Sequence, residues 1–202
     1  MKRSGALLLL TILFLAACTP QLAATTPPLP TSTNSPQPTL TPTLIPPTPA
    51  FRFVDLKDGG FSLSVHPYLE FDVDNQSINL SDAQETFIVS LNGRTYIASE
   101  YTMESFLGKY VDEISARGGA FIQSTPYEIV IDSMNGTAVN ISGIFLDAPI
   151  AGKAFVISPR ENFVVFGLGM SNLTANKNEW AETGSNVFET LLASIKFKET
   201  ED

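Results

Sequence analysis

The chain has 202 residues, a formal net charge of −9, 44% apolar and 16% charged residues. One Cys and one His exclude a disulfide scaffold and the clustered ligands of a zinc site. The acidic balance argues against nucleic acid as a partner, because such binding rewards clustered Lys and Arg. Ten of the 14 prolines fall between Thr19 and Ala50, where no residue is charged, so the averages blend unlike segments. These are a leader over 1–17, a tether over 18–50, one domain over 51–198 and an acidic tail over 199–202.

Lys2 and Arg3 form a basic start, and Ala6 to Ala17 is an apolar run broken only by Thr11. A run that short is the apolar region of a signal peptide and falls well below the ~20 residues of a membrane span. Leu15-Ala16-Ala17-Cys18 resembles the lipobox of bacterial lipoproteins. The resemblance implies that Cys18 takes a diacylglycerol, becomes the first mature residue and carries acyl chains such as palmitate. The domain would then be extracytoplasmic, held at the bacterial cell membrane through its N-terminal lipid. The alternative is an ordinary secretory signal or anchor that happens to end in Cys. Loss of Lys2 and Arg3 leaves ten basic against twenty-one acidic residues, a net charge of −11, so attachment would rest on lipid alone.

From Thr19 to Ala50 ten Pro and nine Thr dominate, a composition that builds no core and reads as a disordered, proline-rich linker. As polyproline II at about 3.1 Å per residue it reaches on the order of 100 Å. A plain spacer is the simplest reading; a polyproline docking segment or an O-glycosylated stalk are the alternatives.

The domain reads as strands, a helix, more strands and a helix. Phe51, Phe53 and Leu56, then Phe61, Leu63 and Val65, then Leu69, Phe71 and Val73 alternate with polar residues as strands do. Phe87, Val89 and Leu91 lead to Asn92-Gly93, a strong hairpin signal, with Tyr96, Ala98 and Tyr101 as the return strand. Met103, Phe106, Leu107, Tyr110, Val111 and Ile114 lie on one helical face, with Thr102 as N-cap and Gly118-Gly119 as the stop. Asn135-Gly136 predicts a second hairpin, and turns at Ala148-Pro149 and Pro159-Arg160 extend it into a four-strand meander ending near Leu168. Trp180, Val187, Phe188, Leu191, Leu192 and Ile195 form a second helical face, with Asn176 and Glu179 spaced as a capping box. Two amphipathic helices on an antiparallel sheet make an α+β domain.

Gly60-Phe61-Ser62-Leu63-Ser64-Val65-His66-Pro67, the helix from Thr102, the strands around Asn135-Gly136 and Leu191-Leu192-Ala193-Ser194-Ile195-Lys196-Phe197 together resemble the PsbP-like family. That family includes small bacterial lipoproteins of the LpqN type. The resemblance implies a central antiparallel sheet between helices, an α/β/α sandwich, and proteins that bind or assemble without catalysing. The Trp that follows the early Pro in that family is replaced here by Tyr68 and Phe71.

Candidate chemistry is sparse. His66 would have to serve any Ser-His-Asp triad, yet no Gly-x-Ser-x-Gly elbow accompanies it, so it reads as a strand-end residue. Glu70, Asp72 and Asp74 alternate along one strand face at about 7 Å, a weak candidate for a cation; a solvated strand face is the simpler reading. Gly167-Leu168-Gly169 lacks the third glycine of a dinucleotide loop and reads as strand, so no cofactor is expected. Tyr68, Tyr101 and Tyr127 sit beside turns, where an exposed ring can meet a partner.

The leading expectation is a lipid-anchored, non-catalytic domain that binds a protein partner in the bacterial envelope. The alternative is a carrier of a small apolar or lipidic ligand, and a carboxylate-based hydrolase comes third. An apolar cavity of about 300 Å³ or more favours the carrier, a flat aromatic patch the partner binder, and facing carboxylates in a deep cleft the hydrolase.

Overall fold

The computed structural model describes residues 50–96 and 101–198; Cys18, the tether up to residue 49 and Ala98 lie outside them. The strands before the first helix are β1 (Arg52–Leu56), β2 (Phe61–Val65), β3 (Glu70–Val73), β4 (Ser77–Ser81) and β5 (Phe87–Thr95). Then come α1 (Met103–Ala116), β6 (Gly119–Gln123), β7 (Tyr127–Ile131), β8 (Met134–Phe145), β9 (Ala148–Arg160) and β10 (Phe163–Asn172). A π-helical turn, Trp180–Gly184, leads into α2 (Ser185–Ser194), and β11 (Lys196–Phe197) closes the domain.

All strand pairing is antiparallel. The large sheet runs β3-β4-β5-β10-β9-β8, with β7 and β6 pairing in succession along the outer side of β8. The first two strands separate from it and form a small sheet with β11. One core lies between the large sheet, the small sheet and α2, centred on Phe61, Phe155 and Phe188. The second lies between the opposite sheet face and α1, where Phe106, Leu107, Tyr110 and Val111 meet Val156, Phe166 and neighbours. Central strands buried on both faces explain the nearly unbroken apolar run of β10.

The helices follow the periodicity in the sequence. The Thr102 hydroxyl accepts from the Ser105 N–H at 3.1 Å, satisfying a donor that the first turn leaves open. Upstream of α2, Asn176 Oδ1 accepts from the Asn178 N–H at 3.0 Å. The Glu179 carboxylate takes the Asn176 side-chain amide at 3.1 Å, so the expected reciprocal box is only half built. At the outer edge of β6, Ser115 Oγ accepts from the Phe121 N–H (3.0 Å) and donates to the Gly119 carbonyl (3.3 Å). That edge is thereby blunted against further strand pairing.

The Asn-Gly pairs mark strands, not turns. β5 runs straight through Asn92-Gly93, pairing them with Phe166 and Val165. Gly93 is small because the backbone of the β1–β2 connection passes over it: a Cβ there would lie 1.8 Å from the Gly59 carbonyl oxygen. Asn135-Gly136 likewise lie inside β8, and the hairpin turns at Asp132-Ser133, whose φ values of 48° and 66° suit a two-residue type I′ turn. The next turn is Leu146-Asp147 (φ 48° and 64°), and the β9–β10 turn contains Asn162 (φ 55°). The expected meander is present as β7 to β10, with its turns displaced and its end at Asn172.

Asp132 also ties the small sheet to the large one. Its carboxylate accepts from Lys196 Nζ at 2.7 Å and from the Phe197 N–H at 2.9 Å. The Lys196 hydrogen bond, then the Phe197 N–H, hold the Asp132 carboxyl below its ordinary value. A depressed folded-state value stabilises above the unfolded value, near pH 4, and that contribution fades as pH falls through the folded one. Urea unfolding of the full chain between pH 6 and 3 should therefore show a shallower loss of stability in Asp132→Asn than in the parent. Equal slopes would remove this tie from the account.

Candidate functional site: an open groove on the large sheet

Helix α1 packs over β6, β8 and β9 and leaves the β3–β5 half of the same sheet face uncovered. The register aligns side chains there in two rows. Glu70, Ser81, Ile88 and Met170 form one row across β3, β4, β5 and β10; Asp72, Asn79, Ser90 and Leu168 form the next. With strands about 4.8 Å apart, each row runs from an acid to an apolar residue over about 14 Å. Ile114 of α1 and Phe145 of β8 wall the apolar end. Together these residues line an open groove of about 520 Å³. A smaller hollow of about 200 Å³ continues it past Phe145 towards Leu146 and Ile150.

The expected carboxylate row divides. Glu70 and Asp72 face the groove from the edge strand β3, joined by Glu85 from the β4–β5 connection. Asp74 is occupied: its oxygens accept from the Gln76 N–H (2.8 Å), the Ser77 N–H (2.7 Å) and the Ser77 hydroxyl (2.7 Å). The Ser77 hydroxyl, then the two backbone donors, pull its carboxyl below the ordinary value. Asp74 therefore closes the β3–β4 turn, and the three acids do not converge as a ligand set. Among the described residues no three His, Cys, Asp or Glu side chains converge on a metal position.

The remaining candidates fall in separate places. His66 packs against Phe51 (ring centroids 5.1 Å apart) and Tyr68 (4.1 Å), and its Nδ1 faces the Tyr68 N–H at 3.5 Å. With Phe53, 71% exposed, these rings make a small aromatic patch on the outer side of β1 and β2. Burial, then the charge of Asp82, raises the Tyr68 phenol above its ordinary value. Tyr101 precedes α1 and accepts from Lys109 Nζ at 3.2 Å; the expected return strand before it runs through residues 97–100, outside the described residues. Tyr127 is half-buried against the α2-side core and donates to Asn140 Oδ1 at 3.0 Å. Gly167-Leu168-Gly169 lies within β10, and Phe188 of α2 rests on Gly169.

No protein-family model matches the chain, and no curated protein matches its sequence. Among solved structures it is similar to the cyanobacterial PsbP (CyanoP) of Synechocystis sp. PCC 6803, with a TM-score of 0.54 and 12% identity over 74% of this chain and 94% of that one. The Ran-binding protein Mog1p of Saccharomyces cerevisiae gives 0.53 and 8% over 74% and 96%. LpqN of Mycobacterium tuberculosis, involved in cell envelope biogenesis, gives 0.48 and 10% over 69% and 83%. The first two establish the PsbP-like α+β fold.

Proposed function

We propose that this chain is a lipid-anchored, non-catalytic binding domain of the bacterial envelope, displayed outside the cytoplasm and docking a protein partner in the groove. The observation that carries the reading is the half-face of sheet that α1 leaves open over β3 to β5, with the half-buried Ile88, Ile114 and Phe145 at its inner end. Leaving such surface in water is unfavourable by roughly 25 cal/mol per Å² of apolar area, so covering it supplies binding free energy. The PsbP-like fold supports it too, since Mog1p binds a protein, Ran. The lipobox at Leu15-Ala16-Ala17-Cys18 supports the anchor and the location. No cofactor enters this reading.

The groove volume of about 520 Å³ favours a second reading, a carrier of a small apolar or lipidic ligand. Its open side and the polar rows on β3 and β4 favour a macromolecule, which buries one face and keeps the other wet.

The test places a photoreactive residue at Ser81, in the groove, or at Glu161, in the β9–β10 turn, and irradiates the full chain in its native envelope. One discrete protein adduct from position 81, absent from position 161, is expected. Equal labelling at both positions, or an adduct with lipid alone at position 81, would overturn the reading.

A further inference from the structure

Resting on that reading, we infer that the groove takes a basic amphipathic helix of the partner, its apolar face on the half-buried Ile88, Ile114 and Phe145 and its Lys or Arg flank against Glu70, Asp72 and Glu85. The width decides the shape. The uncovered strands β3 to β5 span about 10 Å between their axes, and a helix with its side chains is about 10–12 Å in diameter, so one helix fits beside α1 on the same face. The groove would thus complete a layer that the domain itself only half builds.

Charge decides the chemistry. Three acids line the groove, and among its described lining residues none is Lys, Arg or His. Arg52 of β1 is engaged elsewhere, stacked over the Phe71 ring at 4.6 Å and donating to the Leu69 carbonyl. Two of the acids, Glu70 and Asp72, sit at the β3 end of the rows and Glu85 on the β4–β5 connection, while Ile114 and Phe145 make the α1 end apolar. A ligand with uniform polarity would mismatch one end. A helix with an apolar stripe and one basic flank matches both, in the groove-binding mode that amphipathic helices use.

The probe is a fluorescent 15-residue helix of Leu on one face and Lys on one flank, compared with the same peptide carrying Glu for Lys. The protein is the full acylated chain in phosphatidylcholine nanodiscs, with empty nanodiscs as baseline. The Lys peptide should bind at least 10-fold more tightly than the Glu peptide, and added salt should narrow the difference. Glu70→Lys with Asp72→Lys, both on an exposed edge strand, should reverse the preference; Glu161→Lys should leave it unchanged. Equal affinity for the two peptides, or no reversal, would overturn the inference. So would binding of dodecylammonium without binding of either peptide, which would make the occupant a small amphiphile. If position 81 still crosslinks a protein while the charge preference is absent, the inference fails and the proposed function stands. Loss of both removes the two together.

Discussion

Replacing Cys18 by serine should move the chain almost completely from the membrane fraction to the soluble fraction. A serine hydroxyl does not take the diacylglycerol thioether, so the acyl chains that would follow it are lost. Each buried methylene contributes about 0.8 kcal/mol, and a single myristoyl already gives about 10⁴ M⁻¹; two or three chains make attachment lasting. Nothing in the rest of the sequence replaces that contribution. The tether carries no charge, and a chain cleaved before Cys18 would carry −11 and be repelled by an anionic bilayer. If the leader stays uncleaved in the variant, its dozen apolar residues remain short of the ~20 needed to span. Flotation on a density gradient gives the distribution, and the mass of the peptide beginning at residue 18 gives the modification. A serine variant that floats like the parent, or a parent peptide of unmodified mass, would sink the anchor.

The sequence disclosed the helices and most strands, because their signals are local. Phe106, Leu107, Tyr110 and Val111 repeat at helical spacing, and each is buried against the sheet. Ser77-Ile78-Asn79-Leu80-Ser81 alternates just as clearly and forms β4, a strand beyond those expected from the sequence. The Asn-Gly pairs misled for a different reason. A glycine chosen for a close backbone approach, as Gly93 is under Gly59, is spelled the same way as one chosen for a left-handed turn. The turn at Asp132-Ser133 has no glycine, and its cue is only the tolerance of Asp for positive φ.

The groove was beyond local reading because its residues meet only through register. Asp72 and Leu168 lie 96 positions apart and share a row through two intervening strands. The acids were visible as an alternating run, and the structure separates what alternation could not. Glu70 and Asp72 face the groove, while Asp74 is consumed by its own turn. What makes the row a candidate site is the polarity gradient across four strands, and the helix that stops short of covering it.

That helix layer is continued on the opposite face by a contact whose disruption should have the largest effect on stability. Phe188 of α2 is fully buried, 5.9 Å from Trp180 and 6.2 Å from Phe155 between ring centroids. It lies so close to β10 that a Cβ on Gly169 would fall 2.5 Å from its Cδ2. Phe188→Ala should therefore cost about 3–5 kcal/mol through lost burial and the cavity left behind. Gly169→Ala should cost about 1–3 kcal/mol, because the methyl pushes the ring off the sheet. Combining them should cost less than the sum by about 1 kcal/mol, since the new methyl enters space the ring has vacated. Gly108→Ala in α1 is the control: a Cβ there meets nothing within 4 Å, and the change should stabilise by about 0.5–1 kcal/mol. Urea unfolding of the full chain reads all four. Strict additivity of the first two would mean that α2 already yields at Gly169. The close seating of α2 would then not be what holds β10, and with it the floor of the groove at Leu168 and Met170, in place.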